Sequence, residues 1–195
     1  AITVACLEEW IPYLQELLEK FNIHKVKKVV SGGASGQESI YNGLKAAEEI
    51  ACGEKSIVLI HDGVRPLINE KTITDNIESV KKHGSSITCV KVKETVLVVA
   101  EDNSIEDVPN RADTRLARAP QSFYLDEIIE AHRKAIAENK FDFIDSCSMM
   151  QYYGKKLYLI EGPQENIKIT TPDDFYTMRA LLDAKEEAQI YGLED

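Results

Sequence analysis

His61-Asp62-Gly63-Val64-Arg65-Pro66 sets a carboxylate and a guanidinium three residues apart, directly after the apolar run Ser56-Ile57-Val58-Leu59-Ile60. Folds that alternate strands and helices gather ligands at the carboxyl ends of their strands, which makes this hexapeptide a candidate site. An Asp there can hold a magnesium ion or a ribose hydroxyl, Gly63 lets backbone approach a ligand, and Arg65 can fork onto a phosphate. The plainer reading is an Asp-Gly turn with a solvent-facing Arg. A second candidate is Gly32-Gly33-Ala34-Ser35-Gly36, whose backbone N–H groups could cradle an anion or read a base edge. It is neither GxGxxG nor a Walker loop, so the usual dinucleotide and NTPase readings lack support. A third, Asn166-Ile167-Lys168-Ile169-Thr170-Thr171-Pro172, puts a Lys between two Ile just before a helix start. Alternation then turns Lys168 away from the Ile face, into a site or into solvent.

Other reactive-looking residues carry less. Tyr152 and Lys156 have the Tyr-x-x-x-Lys spacing of short-chain dehydrogenases, but Gly154 ends the helix between them and no glycine fingerprint accompanies the pair. His24, His83 and His132 are expected on polar surface faces, and His61 is expected to pack or cap. Cys6, Cys52, Cys89 and Cys147 form no CxxC pair, so neither a zinc site nor a disulfide framework is indicated and reduced thiols in a cytoplasm are expected.

The candidates need elements to hold them. Ile2–Leu7 reads as a buried strand, followed by a helix through Trp10, Leu14, Leu17, Leu18 and Phe21. Lys27–Val30 is a strand, and Ile40, Leu44 and Ala47 mark the helix after the glycine loop. Ser56–Ile60 has the all-apolar character of a central parallel strand. A helix over about Glu70–Lys82, with Ile73, Ile77 and Val80 inward, precedes strands near Ser86–Val92 and Thr95–Ala100. A hairpin arm interrupts the rhythm from about Val96 to Pro109. Beyond it come a strand near Ala117–Phe123, helices over Leu125–Glu138 and Asp145–Tyr153, strands at Leu157–Glu161 and Ile167–Thr170, and a helix begun by Pro172. Alternating strands and helices imply an α/β fold, a mostly parallel sheet covered on both faces.

Composition bounds what such a fold can bind. At 195 residues the chain fits one domain, given roughly 100–200 residues per domain, and 44% hydrophobic residues supply a core. Asp and Glu number 33 against 23 Lys and Arg, a net charge of -10, the wrong sign for gripping a nucleic acid backbone. A phosphate site must therefore be a local cluster set in an acidic background, which suits a small ligand in a cleft. No apolar run approaches the roughly 20 residues of a membrane span, and no secretory leader is evident.

Gly32-Gly33 with Ser39, His61-Asp62-x-x-Arg65-Pro66, Pro109-Asn110-Arg111, Ala119-Pro120-Gln121-Ser122-Phe123, Asp145 and Asn166-Ile167-Lys168-Ile169-Thr170 resemble, in order and spacing, the cytidylyltransferases of sugar-alcohol phosphates. This family includes the methylerythritol-phosphate and ribitol-5-phosphate enzymes. The resemblance implies a Rossmann-like nucleotidyltransferase domain over residues 1–195 with an inserted hairpin dimerisation arm at about 94–112. It implies a polyol phosphate attacking the α-phosphate of CTP, with Mg2+ assisting, in a homodimer. Carried over by residue, Gly33, Ala34, Ser39 and Gly63 would meet CTP, and Asp62 the ribose and metal. Arg65 and Lys168 would face the reacting phosphates, Asp145 the substrate, and Arg111 the substrate phosphate in the partner's site. Methylerythritol enzymes carry Thr where this chain has Ala119 and Ile144, so two substrate-holding hydroxyls are gone and D-ribitol 5-phosphate is favoured. A uridylyltransferase, or a dimerising scaffold without turnover, is the competing expectation. The family also opens with a strand and a glycine-rich loop bearing an Arg and a following Lys, which nothing upstream of Ala1 supplies here. The 195 residues alone are therefore expected not to turn over.

Overall fold

The computed structural model describes residues 1–191. β1 (Ile2–Cys6) is followed by α1 (Ile11–Lys20), β2 (Val26–Ser31), α2 (Gly36–Ala51), β3 (Ile57–Ile60) and α3 (Glu70–His83). β4 (Ser85–Lys91), the short β5 (Val98–Val99) and β6 (Ile105–Asp107), and the long β7 (Arg115–Tyr124) come next. α4 (Leu125–Ala137), α5 (Ser146–Tyr152), β8 (Leu159–Glu161) and α6 (Pro172–Tyr191) complete the order. Capping fixes the starts that matter. Ser35 accepts the Glu38 N–H to open α2 and Asn69 accepts the Thr72 N–H to open α3, which Gly84 closes at φ 84°.

β1 and β2 pair in parallel, and a four-stranded sheet runs β3-β7-β4-β8. Within it β3, β4 and β8 share one direction and β7 alone runs against them. The fold is thus α/β with mostly parallel strands, as expected, and β7 is the antiparallel exception. The chain enters β7 from the arm, at the opposite end of the sheet from where a crossover helix would deliver it. β3 is correspondingly an edge of its sheet, not a central strand. Ile167–Thr170 forms no strand, although Ile169 N–H donates to the Val64 carbonyl at 2.9 Å.

Strand alternation sorts the two faces of the sheet. Ile87 and Phe123 turn to one face, where they pack with Leu44, Ile128, Ile129, Met149 and Met150 from α2, α4 and α5. Thr88 and Ser122 turn to the other and meet Asn76 of α3. Asn76 donates to Thr88 Oγ1 at 2.9 Å and accepts from Ser122 Oγ at 2.9 Å, so a satisfied polar network seats α3. The buried stripe of α3 is therefore Thr72, Asn76 and Val80, and Ile73, expected inward, is exposed. β1 is half-buried rather than buried. It shares no ladder with β3, and the two strands flank a cleft: Thr3, Ala5, Ser39, Gly43, Ile60 and Asp62 line about 310 Å³ of it. The arm forms as a separate antiparallel hairpin, β5 against β6, with Leu97, Val98, Val99, Ile105 and Val108 exposed.

Candidate functional site

The reversed strand β7 explains how distant segments meet. Gln121 pairs with Ile60 and Leu116 with Val90, so the first half of β7 lies where β3 and β4 end. At that edge Arg65 Nε donates to Asp62 Oδ2 at 3.0 Å, and Lys168 Nζ stands 3.6 Å from the same oxygen. The Arg65 Nη1 donates to the Asn166 carbonyl at 3.1 Å, and Arg118 Nη1 reaches that same carbonyl at 3.2 Å. Asn166 is buried and donates through Nδ2 to the Ala119 carbonyl. His61 Nε2 lies 2.9 Å from the Arg65 carbonyl, the capping role expected of it.

Two cations, Arg65 and Lys168, thus meet one carboxylate in a chain of net charge -10, and Arg118 joins them through the Asn166 carbonyl it shares with Arg65. Burial lowers the proton affinity of Arg118, and the neighbouring Arg65 guanidinium lowers it further. Asp62, Arg65 and Lys168, candidates at three separate positions in the sequence, come together at one edge, and Arg118, which the sequence reading did not single out, joins them. Its signal was a lone Arg between Ala117 and Ala119 in a strand.

The glycine loop is closed on itself. Gly33 N–H donates to Ser39 Oγ at 3.0 Å, Ser39 Oγ donates to the Ser35 carbonyl, and Ala34 N–H donates to Glu38 Oε2 at 2.7 Å. A Cβ on Gly33 would fall 2.2 Å from Glu38 Cγ, so the close approach of that side chain requires glycine. Ser39 and Asp62 line the same cleft, which joins the loop to the cationic edge. Nothing within 4 Å would meet a Cβ on Gly63, so no packing neighbour demands glycine there.

Two candidates stand apart from this cluster. Asp145 caps α5, accepting the Ser148 N–H on Oδ1 and the Gln121 amide on Oδ2 at 2.7 Å. Gln121 also accepts the Cys147 N–H, so a buried amide that sequence reading passed over fixes the carboxylate. Arg111 is exposed and donates to the Lys93 carbonyl at 3.3 Å, at the base of the arm. Ile144, beside Asp145, is 95% exposed.

His132 corrects an expectation. It is buried in α4, stacked on Tyr41 of α2 with centroids 5.4 Å apart, and neither ring nitrogen has a partner among the described residues. Burial pushes its pKa down to about 4. Polar neighbours in sequence hid an inward position on α4. His83 stacks on Tyr158. The helix ends at Tyr152, as the Gly154 argument required, and the four cysteines are free thiols.

Residues 1–184 match the family described as IspD, 2-C-methyl-D-erythritol 4-phosphate cytidylyltransferase. The chain belongs to this family. Ribitol-5-phosphate cytidylyltransferase of Streptococcus agalactiae serotype V is 52% identical over 193 residues, which is 99% of this chain and 80% of that protein. The protein of the same name from Vibrio parahaemolyticus is 51% identical over 98% of this chain and 80% of its own length. A 2-C-methyl-D-erythritol 4-phosphate cytidylyltransferase of Clostridium novyi is 39% identical over 87% of this chain and 71% of its own. The crystal structure of 4-diphosphocytidyl-2C-methyl-D-erythritol synthase from Anaerococcus prevotii superposes with a TM-score of 0.82 at 27% identity, covering 93% of this chain and 80% of that one. As a member of the IspD family the chain is a nucleotidyltransferase.

The family implies a magnesium ion. Among the described residues no three His, Cys, Asp or Glu side chains gather as a protein-only metal site. Asp62 offers a single carboxylate at the strand end. That fits magnesium held by one or two carboxylates with the rest of its shell from phosphates and water. No helix among the described residues is long and apolar enough to cross a membrane.

Proposed function

We propose that the protein transfers the cytidylyl group of CTP to D-ribitol 5-phosphate, releasing pyrophosphate. The carrying observation is the cationic strand edge: Arg65 and Lys168 on Asp62, Arg118 joined to Arg65 through the Asn166 carbonyl, and Asp62 itself lining the cleft that Ser39 also lines. A phosphate oxygen of the polyol phosphate bonds to the α-phosphorus, the bond to the bridging oxygen breaks, and pyrophosphate leaves with that electron pair. Two anions must approach, so catalysis consists of positioning and charge neutralisation.

Lys168, exposed and tethered to Asp62 only at 3.6 Å, is free to swing onto the α-phosphate as charge builds there. Arg65 is held by Asp62 and the Asn166 carbonyl and presents a fixed positive wall. Gly33, Ala34 and Ser39 read the base, Gly63 lets the ligand near the backbone, and Asp62 faces the ribose. A magnesium ion carried by the triphosphate would use Asp62 as its protein ligand and offset phosphate charge.

Ala119 and Ile144 supply no hydroxyl to a branched methylerythritol phosphate, and the 52% relatives bear the ribitol-5-phosphate name. Both favour the pentitol. Asp145, fixed by Gln121, faces the polyol. The exposed apolar arm packs on a second copy, and Arg111 reaches the partner's substrate phosphate. The enzyme works in the cytoplasm.

Pyrophosphate release by the full-length protein with CTP or UTP and a panel of polyol phosphates tests the reading. D-ribitol 5-phosphate with CTP should give the highest kcat/KM. Preference for methylerythritol phosphate or UTP would replace the substrate assignment, and no release with any pair would leave the scaffold reading. The shared site has its own test: inactive Arg111→Ala and Lys168→Ala proteins should recover activity on re-association, because one site of each heterodimer has both residues. No recovery in verified heterodimers would sink it.

A further inference from the structure

Arg118 has no assigned role, and its surroundings are unusual for an arginine. It is half-buried on β7, yet among the described residues no carboxylate lies within ion-pair distance of it. Its guanidinium is held by one neutral acceptor, the Asn166 carbonyl, which it shares with Arg65. Such sharing brings two like charges together, which costs free energy unless an anion joins them.

The contacts run in a line. Lys168 and Arg65 both touch Asp62 Oδ2, Arg65 continues to the Asn166 carbonyl, and Arg118 ends the row. Negative charge is built in at the Asp62 end alone. The Asp62 end also borders the cleft shared with Ser39, the side given above to the nucleotide. The Arg118 end has positive charge without a counter-charge, and its backbone is pinned by the Asn166 amide on the Ala119 carbonyl. A guanidinium fixed in this way presents its remaining N–H groups in a fork that matches a phosphate.

We propose that Arg118, beside Arg65, binds the phosphate of the acceptor substrate and holds it against the α-phosphate of the nucleotide. This rests on the cytidylyl-transfer reading above. The reaction needs two phosphate groups to converge, and the row supplies two cationic stations, one with a carboxylate at hand and one without. The dianionic phosphate of a polyol phosphate fits the second.

Arg118→Gln and Arg118→Lys in the full-length protein, assayed by pyrophosphate release, separate this role from a structural one. Losing charge-assisted bonds to a phosphate should raise the KM for D-ribitol 5-phosphate by about tenfold to hundredfold. The KM for CTP should stay within about twofold, and Lys should restore part of the loss as a point charge without the fork. Inorganic phosphate, competing with D-ribitol 5-phosphate in the parent, should inhibit the Gln variant more weakly. An unchanged acceptor KM, or equal rises in both KM values, would overturn the assignment. A fall in melting temperature without a KM split would make Arg118 a packing residue and overturn it as well. If the parent turned over no polyol phosphate, the functional reading would fail separately. Calorimetric binding of D-ribitol 5-phosphate to parent and Gln variant would still decide Arg118, equal affinities counting against it.

Discussion

The cationic edge and the glycine loop border one cleft but solve opposite problems. At the edge, Arg65, Arg118 and Lys168 share one carboxylate and one carbonyl, leaving positive charge unspent. In the loop, the Gly33 and Ala34 N–H groups are already taken by Ser39 and Glu38. One region is poised for an anion; the other keeps itself closed until a ligand competes for its donors. Long-range electrostatics therefore draws phosphate to the edge, and recognition at the loop costs an exchange of hydrogen bonds.

The largest effect should come from the edge. In the full-length enzyme Lys168→Ala should lower kcat by about a hundredfold or more, with a much smaller change in CTP binding, because its charge counts chiefly as the phosphates converge. Single-turnover rates and CTP titration together check this. A kcat within threefold of the parent would remove the contrast between the two regions.

Behind the loop, α2 leans on His132 through Tyr41. The folded protein holds His132 neutral down to about pH 4, whereas the unfolded chain takes up a proton near its ordinary 6.5. The unfolded state therefore binds more protons between those values, and stability should fall as pH drops from 6.5 to 4, by about 3 kcal/mol at most. Urea unfolding of the parent and of His132→Phe across this window should show a steeper slope in the parent. Equal slopes would mean His132 is hydrated in the native state.

Gly33→Ala strikes the loop directly. The added Cβ collides with Glu38, and displacing that side chain should cost about 1–3 kcal/mol. Denaturation should report the loss, and the CTP KM should rise. Arg65 contacts should be unaffected, which an unchanged KM for the polyol phosphate would show.

The difference between the regions also marks what sequence could reveal. The Asp62–Arg65 pair is local, spanning three residues, and its members could be read directly, whereas the equally local Ser35 cap was read only as part of the glycine loop. Lys168 was legible because alternation with Ile167 and Ile169 sets its direction even without a strand. Arg118 was not, because its place depends on β7 running backwards, and no local pattern encodes strand direction. His132 and the Asn76 network were hidden for a related reason. Each is polar at an inward position, and hydrophobic periodicity discards polar residues. The helices and most strands were legible, their order in the sheet was not.

Glu38 gives the smallest and most discriminating effect. Its carboxylate accepts the Ala34 N–H at the N-terminal turn of α2, where a negative charge also suits the helix dipole. Glu38→Gln keeps the shape and weakens the acceptor, so the free protein should lose a few tenths of a kcal/mol, up to about 1. If CTP must take the Ala34 N–H from Glu38, the same substitution makes that exchange easier, and the CTP KM should fall a few-fold. Stability and affinity would then move in opposite directions, which no general loosening of the loop produces. A KM that rises along with the loss of stability would mean Glu38 holds the loop in its binding shape, and the closed loop would be the competent one.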